Sequence, residues 1–188
     1  MKVIQLHTNQ KRLIKKALKK NKAAQEALYN HYSPLMLSVC RMYIKDLHFA
    51  EDVMLKGFYK VFTHLKNFKH EGSFEGWIRK IMVREAISFL RVHKKLYCSE
   101  ELLAVHSIEN SEQFQTESEV DYIQKEIDNL PEGYKLVFMM YAVEGYKHKE
   151  IAELLKISEG TSKSQLSKAR KLLQERLKTQ IKEGNADE

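Results

Sequence analysis

The chain has 188 residues, enough for one medium-sized domain or two small ones, each with a modest core of its own. Its 32 Lys and Arg residues outnumber 25 Asp and Glu residues, and the formal charge of +7 favours a polyanionic partner, either nucleic acid or an anionic membrane surface. No apolar run approaches the roughly 20 residues that span a bilayer, and the basic N-terminus lacks the apolar centre of a secretory signal, so we expect a cytoplasmic protein without stable membrane insertion.

The sequence lacks the signatures of catalysis and of metal binding. Cys40 and Cys98 belong to no CxxC motif or Cys/His cluster, which argues against a disulfide framework or a zinc site and favours one buried thiol and one loop thiol. A Gly-rich phosphate loop, an HExxH motif and a GxSxG motif are all missing from the sequence. We therefore predict that the protein is not an enzyme, has no catalytic or metal-binding residue, and uses no cofactor or small-molecule substrate.

Residues 1–21 form a basic N-terminal segment, after which helical periodicity begins. Apolar residues at three- and four-residue intervals predict two amphipathic helices, one over 22–44 and one over about 50–65. The apolar face of the first helix consists of Ala24, Leu28, Tyr32, Leu35, Val39 and Met42. The apolar face of the second helix consists of Ala50, Val53, Met54, Phe58, Val61, Phe62 and Leu65. The opposite side of the second helix carries Asp52, Lys56, Tyr59 and Lys60.

Gly72 and its small polar neighbours predict a loop over 67–73, followed by a third helix that begins at about Phe74 and ends in the basic segment 91–95. This helix carries the apolar residues Trp77, Ile81, Ala86, Ile87 and Leu90. Together the three helices predict a small bundle over 22–95. Residues 96–119 contain no Lys or Arg, are rich in Ser and Glu and have weak periodicity, which predicts an extended acidic linker.

A second helical domain is predicted over 120–180, before a polar tail at 181–188. Pro131 precedes three short predicted helices over 134–142, 147–155 and 159–178. The last two helices are joined by only Lys156, Ile157 and Ser158, where Ile157 can enter the core and Ser158 is a good N-cap. A three-residue connection of this kind is typical of a DNA-binding helix-turn-helix.

The last predicted helix has a core face and a polar face. The core face consists of Leu166, Ala169, Leu172, Leu173 and Leu177. Short polar side chains at the N-terminal end of the other face can reach base edges in a major groove; they are Thr161, Ser164, Gln165 and Lys168. Flanking residues can contact phosphates; they are Lys163, Arg170 and Lys171, with His148 and Lys149 on the preceding helix. From the helical pattern alone, a solvated basic face is the alternative.

Five segments, in this order, resemble RNA polymerase sigma factors of the extracytoplasmic-function (ECF) group of the sigma-70 family. They are FAEDVMLKGFYKVF (49–62), SFEGWIRKI (73–81), REAISFLR (84–91), LPEGYKLVF (130–138) and HKEIAELLKISEGTSKSQLSKARKLL (148–173). The resemblance covers about residues 22–178. It implies an all-α protein in which a −10 domain (sigma region 2) and a −35 helix-turn-helix domain (sigma region 4) are joined by the acidic linker.

The resemblance also implies a function and partners. The protein would be a transcription initiation factor that binds core RNA polymerase through the β′ clamp helices and the β flap, and directs it to promoter DNA. The family commonly has an anti-sigma factor as a further partner. The acidic linker would run through polymerase channels meant for nucleic acid, although its charge is equally compatible with a simple solubilising tether.

Individual residue roles follow from the same resemblance. Polymerase docking would use Asp52, Lys56, Tyr59 and Lys60. Reading and opening of the −10 element needs aromatic platforms and cations for a melted strand. The residues that would supply them are Phe68, Lys69, His70, Ser73, Phe74, Trp77, Arg84, Ser88 and Arg91. The role of Trp77 stays open between a core residue and a stacking platform, because it is the only tryptophan on an amphipathic helix.

Several positions depart from the family pattern. Leu55 and Lys56 stand where a Gln-Glu pair is common in the docking helix, and Arg84 and Ser88 stand where an Asn and an Asp are common in the −10 helix. Ser162 stands where the family usually has Val, at a position that is expected to face the core. Its hydroxyl then needs a partner, and we expect a backbone carbonyl four residues back.

Two other functions compete with initiation. A stand-alone helix-turn-helix regulator would bind DNA without polymerase, usually as a symmetric dimer. The first domain argues against it, because the aromatic loop and the segment SFEGWIRKI resemble a −10 reader rather than an effector pocket. A helical adaptor that binds only proteins would have no use for the polar N-terminal end of the last helix.

Overall fold

The structure is a computed structural model that describes residues 2–100 and 119–184. The chain divides into two compact units, Met1–Leu102 and Leu103–Glu188. The helices of the first unit are α1 (Lys2–Leu18), α2 (Lys22–Arg41), α3 (Leu47–Thr63), a 3₁₀ turn (Leu65–Asn67) and α4 (Phe74–Glu100). Those of the second are α5 (Glu119–Asp128), α6 (Glu132–Phe138), one π-helical turn (Met139–Val143), α7 (His148–Leu155) and α8 (Glu159–Gly184). The prediction of two all-helical domains is confirmed.

Side-chain caps fix where the helices of the first unit begin. The Asn21 side chain accepts a hydrogen bond from the Ala24 amide at 2.9 Å, which starts α2, and the Asp46 carboxylate accepts one from the Phe49 amide at 3.0 Å, which starts α3. The predicted loop between α3 and α4 is also present. In it His70 and Gly72 adopt positive φ values of 61° and 111°, which turn the chain back toward α4.

The core of the first unit lies between α2, α3 and α4, with α1 packed on α2. Its buried residues include Ala24, Leu28, Tyr32, Met36, Val39, Ala50, Val53, Phe58, Val61, Leu65, Ile78, Met82, Ala86 and Ile87. On α2 the buried face continues through Met36 and Cys40, whereas Leu35 is 40% exposed, so the prediction that Leu35 lies in the core is wrong. The three- and four-residue intervals are compatible with burial of either Leu35 or Met36. Because α2 packs against three other helices, the face that contains Met36 is the buried one.

The basic N-terminal segment forms a helix of its own. Ile14 and Ala17 of α1 are buried, and α1 packs against α2. The Gln10 side-chain amide donates a hydrogen bond to the Tyr32 hydroxyl on α2. The first unit is therefore a four-helix arrangement rather than the three-helix bundle predicted over 22–95.

Helix α4 continues beyond its predicted end. It extends to Glu100, so the prediction that it ends at residues 91–95 is wrong. Residues 77–100 contain neither Gly nor Pro, and the basic residues that favour a helix C-terminus do not by themselves stop a helix. Residues 101–118 of the predicted linker and 185–188 of the predicted tail lie outside the described residues.

The two cysteines differ from the expectation in one respect. Cys40 is buried and free, as predicted, and burial raises its pKa to about 12, so it remains a thiol at neutral pH. Cys98 falls within α4, so it is not a loop residue.

The second unit has its own core, formed by α5, α6 and α8. Leu130, Ala169 and Leu173 are buried in it, and Ile127, Tyr134, Phe138 and Leu172 pack around them. Lys156 closes α7 with a left-handed φ of 56°, and the Ser158 hydroxyl then accepts a hydrogen bond from the Thr161 amide at 2.9 Å. The predicted three-residue turn and its Ser N-cap are confirmed. Within the described residues, no helix is long and apolar enough to cross a membrane.

Candidate DNA and polymerase interfaces

Ser162 connects the two helices of the helix-turn-helix. Its side chain is completely buried, and its hydroxyl lies 2.9 Å from Nδ1 of His148 on α7. The prediction that Ser162 faces the core is confirmed, but the predicted partner is wrong. The carbonyl of Ser158, four residues back, accepts the backbone amide of Ser162 at 3.0 Å instead, which is the ordinary helical bond. The buried hydroxyl of Ser162 therefore has a hydrogen-bond partner in the His148 imidazole on the other side of the turn.

His148 is held from a second side by aromatic packing. Its ring stacks on Tyr141 with centroids 4.6 Å apart and planes 23° apart, and the Arg170 guanidinium lies 5.6 Å above the same Tyr141 ring. Tyr141, His148, Ser162 and Arg170 therefore connect the π-helical turn, α7 and α8. His148 is half-buried in this arrangement, so its ring fixes the position of α8, which departs from the expectation that it contacts the DNA backbone.

Hydrogen bonds within α8 occupy the hydroxyls of its polar face. The Ser164 hydroxyl donates to the Thr161 carbonyl at 3.0 Å, and the Thr161 hydroxyl lies 2.8 Å from that of Ser158. Gln165 is half-buried, and a Cβ added to Gly133 on α6 would lie 3.2 Å from its amide nitrogen. Among the polar residues Thr161, Ser164, Gln165 and Lys168, Gln165 is therefore the one whose side chain is positioned by a residue of another helix.

The cations of this surface fall into two groups. Lys163 forms an ion pair of 2.8 Å with Glu159, and its hydrogen bond lowers the pKa of that carboxylate. Lys171 faces Glu175 at 3.9 Å. In contrast, Lys149 and Lys168 are exposed, and neither has a carboxylate partner among the described residues.

A recess of about 320 Å³ opens between the loop and the first turns of α4. It is lined by Asn67, Phe68, Lys69, Glu71, Gly72, Ser73, Gly76, Trp77 and Lys80. Phe68 lies 5.5 Å from Trp77 and 4.5 Å from His70 between ring centroids. The recess thus combines half-buried aromatic rings with cations at its rim, which suits an unstacked base and its phosphates.

Phe74 supports this recess from below instead of lining it. It is 3% exposed, and its ring centroid lies 5.0 Å from Phe68, 5.8 Å from Trp77 and 5.6 Å from Tyr32. The expectation that Phe74 offers a stacking surface is therefore wrong for this structure. Ser73 likewise has a structural role, because its hydroxyl accepts a hydrogen bond of 3.0 Å from the Gly76 amide at the start of α4.

The remaining predicted −10 residues lie farther along the same helix. Arg84 and Ser88 are exposed and Arg91 is half-buried, and all three are on the side of α4 that carries Trp77. Sequence reasoning missed Lys80 at the rim, although it follows Trp77 by three residues and so shares its face. It also missed Asn67 and Glu71, which only the folding back of the loop brings to the recess.

The outer side of α3 is exposed and partly apolar. Asp52 and Lys56 are exposed, Tyr59 is 72% exposed, and Leu55, one helical turn before Tyr59, is 52% exposed. Lys60 differs from them, because its ammonium forms an ion pair of 2.6 Å with Glu85 on α4. Large apolar side chains of this exposure are suited to a protein partner.

A second apolar surface lies between α5 and α8 of the second unit, and sequence reasoning missed it. This groove of about 300 Å³ is lined by Ile123, Glu126, Ile127, Phe138, Arg170, Leu173, Gln174 and Leu177. An ion pair of 2.9 Å between Arg176 and Glu126 joins the two helices beside it. The spacing of the apolar residues along α8 can be read from the sequence, but the distance between α5 and α8 cannot.

Comparison with known proteins gives consistent matches for both units. A family model for sigma-70 region 2 matches residues 28–96, and one for sigma-70 region 4 matches residues 121–173, so the two together match more than half of the chain. An ECF RNA polymerase sigma-E factor of Haemophilus influenzae is 23% identical over 177 residues, which cover 88% of this chain and 93% of that protein. The RNA polymerase sigma factor SigV of Bacillus subtilis is 27% identical over 131 residues, which cover 70% and 77% respectively.

Among solved structures, the chain resembles the sigma factor RpoE in complex with the anti-sigma factor NepR from Bartonella quintana. The TM-score is 0.55 at 18% sequence identity, over 81% of this chain and 96% of that one. At this identity the likeness concerns the fold.

The Ser162 and His148 pair gives a testable consequence for stability. Ser162→Ala removes the buried hydroxyl and leaves Nδ1 of His148 facing a methyl group, so we expect the free energy of unfolding to fall by about 1 kcal/mol. Urea unfolding of Ser162→Ala, His148→Ala and the double variant should give a coupling energy of about 0.5–1.5 kcal/mol. Ser164→Ala is the matched control, because its exposed hydroxyl bonds only its own helix and its loss should cost less than about 0.5 kcal/mol. Additive single and double effects would contradict the pairing.

Proposed function

This chain belongs to the sigma-70 family of RNA polymerase sigma factors, in its ECF group, and on that basis we propose which of its residues carry out each part of initiation. It is a transcription initiation factor that binds core RNA polymerase and directs it to promoters. RNA synthesis itself is then catalysed by the polymerase, so the chain needs no catalytic residue of its own. Its site of action is where the polymerase and the promoters are, in the cytoplasm.

The recess between the loop and α4 is the observation that best supports a −10 role for the first unit. Phe68 and Trp77 are half-buried and line the recess, so part of each ring is available to an unstacked base. Lys69 and Lys80 at the rim can neutralise the phosphates beside a captured base. From there Arg84, Ser88 and Arg91 continue along α4 and can follow the opened strand.

The −35 element is assigned to the N-terminal end of α8. Gln165 is positioned against Gly133, and its amide can form paired hydrogen bonds with an adenine edge. The hydroxyls of Thr161 and Ser164 already bond to Ser158 and to the Thr161 carbonyl, and each keeps a lone pair that can accept a hydrogen bond from a base. Lys149 and Lys168 contact phosphates, while Lys163 and Arg170 can exchange their present partners for a phosphate.

Two apolar surfaces are proposed for proteins. The outer side of α3, with Asp52, Leu55, Lys56 and Tyr59, docks on the β′ clamp helices, where Leu55 replaces a polar contact of the family with an apolar one. The groove between α5 and α8 receives the β flap. An anti-sigma factor is a further proposed partner, since the structurally similar RpoE was solved with one.

Reconstituted transcription tests the function directly. The purified chain added to core polymerase should produce discrete start sites on genomic DNA, and duplex promoter DNA should not be bound tightly without polymerase. Initiation that does not depend on the chain, or tight binding of duplex DNA by the chain alone, would contradict the proposal. The second outcome would favour a stand-alone regulator.

Trp77 and Phe74 should separate in their effects on strand opening. Trp77→Ala removes a stacking surface worth about 1–3 kcal/mol per base, so we expect permanganate-detected opening to fall more than retention of closed duplex by the holoenzyme. Phe74→Ala empties a core position, which costs about 3–5 kcal/mol of folding free energy, so both readouts should fall together. Trp77→Phe is the rescue control. Equal loss of capture and opening in Trp77→Ala would assign Trp77 to the core instead.

Gln165 can be tested through its neighbour as well as directly. Gln165→Ala should reduce discrimination at one −35 position by about 1–3 kcal/mol, measured by binding of the holoenzyme to a library of −35 variants. Gly133→Ala places a methyl group against the Gln165 amide and should alter the same position. In the Gln165→Ala background Gly133→Ala should have no further effect. An unchanged preference in Gln165→Ala would remove this residue from base recognition.

A further inference from the structure

Helix α1 carries a continuous cationic face that lies outside the segment matched by the region 2 family model. Its members are all exposed: Lys11, Arg12, Lys15 and Lys16 lie on α1 at two adjacent four-residue spacings, and Lys19 lies in the turn directly after the helix. Ile14 and Ala17 are buried on the opposite side, where α1 packs against α2. The first 25 residues of the chain contain no Asp or Glu, so nothing on the helix itself compensates this charge.

In the part of the chain that the structure describes, none of the five cations of this face pairs with a carboxylate. Lys60, Lys135 and Lys163, in contrast, each form an ion pair with a carboxylate. Lys11 and Lys15, and Arg12 and Lys16, are like charges one turn apart on α1, which lowers helix stability. Lys15 and Lys16 in the last turn offset part of this cost through the helix dipole, and the exposed face as a whole is suited to an external anion.

Contacts connect the buried side of α1, opposite the cationic face, to the aromatic rings that support the −10 recess. Gln10 precedes Ile14 by one turn on that buried side; its amide donates to the Tyr32 hydroxyl, and the Tyr32 ring lies 5.6 Å from Phe74. Phe74 in turn packs against Phe68 and Trp77 of the recess. From Lys11 to the end of α1 at Leu18 the helix rises about 10 Å, which matches about three phosphates of one strand of duplex DNA.

We propose that the cationic face of α1 binds the phosphate backbone of promoter DNA next to the segment held by the −10 recess. The inference rests on the −10 role proposed for that recess. An anionic membrane is the less suitable occupant, because a helix that lies in a lipid interface inserts its apolar face, and Ile14 and Ala17 are buried in the bundle. Backbone binding of this kind adds affinity without sequence preference.

The test compares charge removal with charge retention in the full chain bound to core polymerase. The triple variant Lys11→Gln, Lys15→Gln, Lys19→Gln keeps good helix formers, and the corresponding triple Lys→Arg variant keeps the charge. Binding to a promoter duplex on which the wild-type holoenzyme initiates is measured from 50 to 300 mM KCl. The control variant Arg41→Gln, Lys45→Gln removes two exposed cations, one at the C-terminal end of α2 and one in the loop that follows it.

We expect the Gln triple variant to bind promoter DNA about tenfold more weakly, with a log–log salt slope smaller by about 2 to 3, because each lost phosphate contact contributes about 0.9. The Arg triple variant and the α2 control should keep the wild-type slope. Affinity for core polymerase should be unchanged in all variants, and the melting temperature of the Gln triple variant should not fall below that of the wild type, because the substitutions remove like charges one turn apart.

Four outcomes would overturn the inference. An unchanged salt slope in the Gln triple variant, while the wild-type protein initiates normally, rejects it and leaves the proposed function standing. Weaker binding to core polymerase would assign the face to an acidic protein surface, and lost binding to phosphatidylserine vesicles with intact DNA binding would assign it to a membrane. A wild-type protein that initiates on no promoter rejects the proposed function and this inference together.

Discussion

Each long helix of this chain buries only one side, and that constraint decides which residues are available to partners. On α8, burial of Leu166, Ala169 and Leu173 leaves Gln165 and Lys168 at the surface. The same holds for α3, where burial of Val53, Met54 and Phe58 turns Leu55 and Tyr59 outward. A small helical domain has too little core to bury both sides of its helices. The unburied sides of the core helices can therefore serve as binding surfaces, and no additional helix or loop is needed. Each proposed binding surface is consequently the outer side of a helix whose other side packs in a core.

The two proposed DNA sites are held in place by different interactions. In the first unit the interaction is aromatic packing, since Tyr32 and Phe74 in the core hold Phe68 and Trp77 at the recess. In the second unit a buried polar contact, between Ser162 and His148, locks α7 to α8. A polar contact of this kind specifies one arrangement of two helices, because any displacement leaves a buried hydroxyl unpaired. Such specificity matters most where a helix must enter a groove in a fixed orientation.

Periodicity and turn chemistry predicted much of this from sequence. The intervals between apolar residues predicted the core faces of α3 and α8, and local hydrogen bonding predicted the Ser158 cap. Both are properties of a single helix or turn. The partner of Ser162, the burial of Phe74 and the ion pair of Lys60 depend on a second element, and a helical pattern contains no information on which residue of a neighbouring helix comes opposite. The recess residues Asn67 and Glu71 were missed for the same reason, because a loop has no period.

Ion pairing divides the cations of the protein by the kind of binding they can supply. Lys163 and Lys60 are exposed and paired with Glu159 and Glu85, and such surface pairs contribute only about 0–1 kcal/mol. In the proposed DNA complex Lys163 can exchange its ion pair for a phosphate at little cost, and the released Glu159 carboxylate then repels a poorly placed backbone. Paired cations therefore favour correct geometry, because only a well-placed phosphate compensates for the lost carboxylate. Cations without a carboxylate nearby, such as Lys168, attract any phosphate and raise affinity irrespective of sequence. A promoter-binding protein needs both kinds, since sequence discrimination is useful only on DNA to which the protein is already bound.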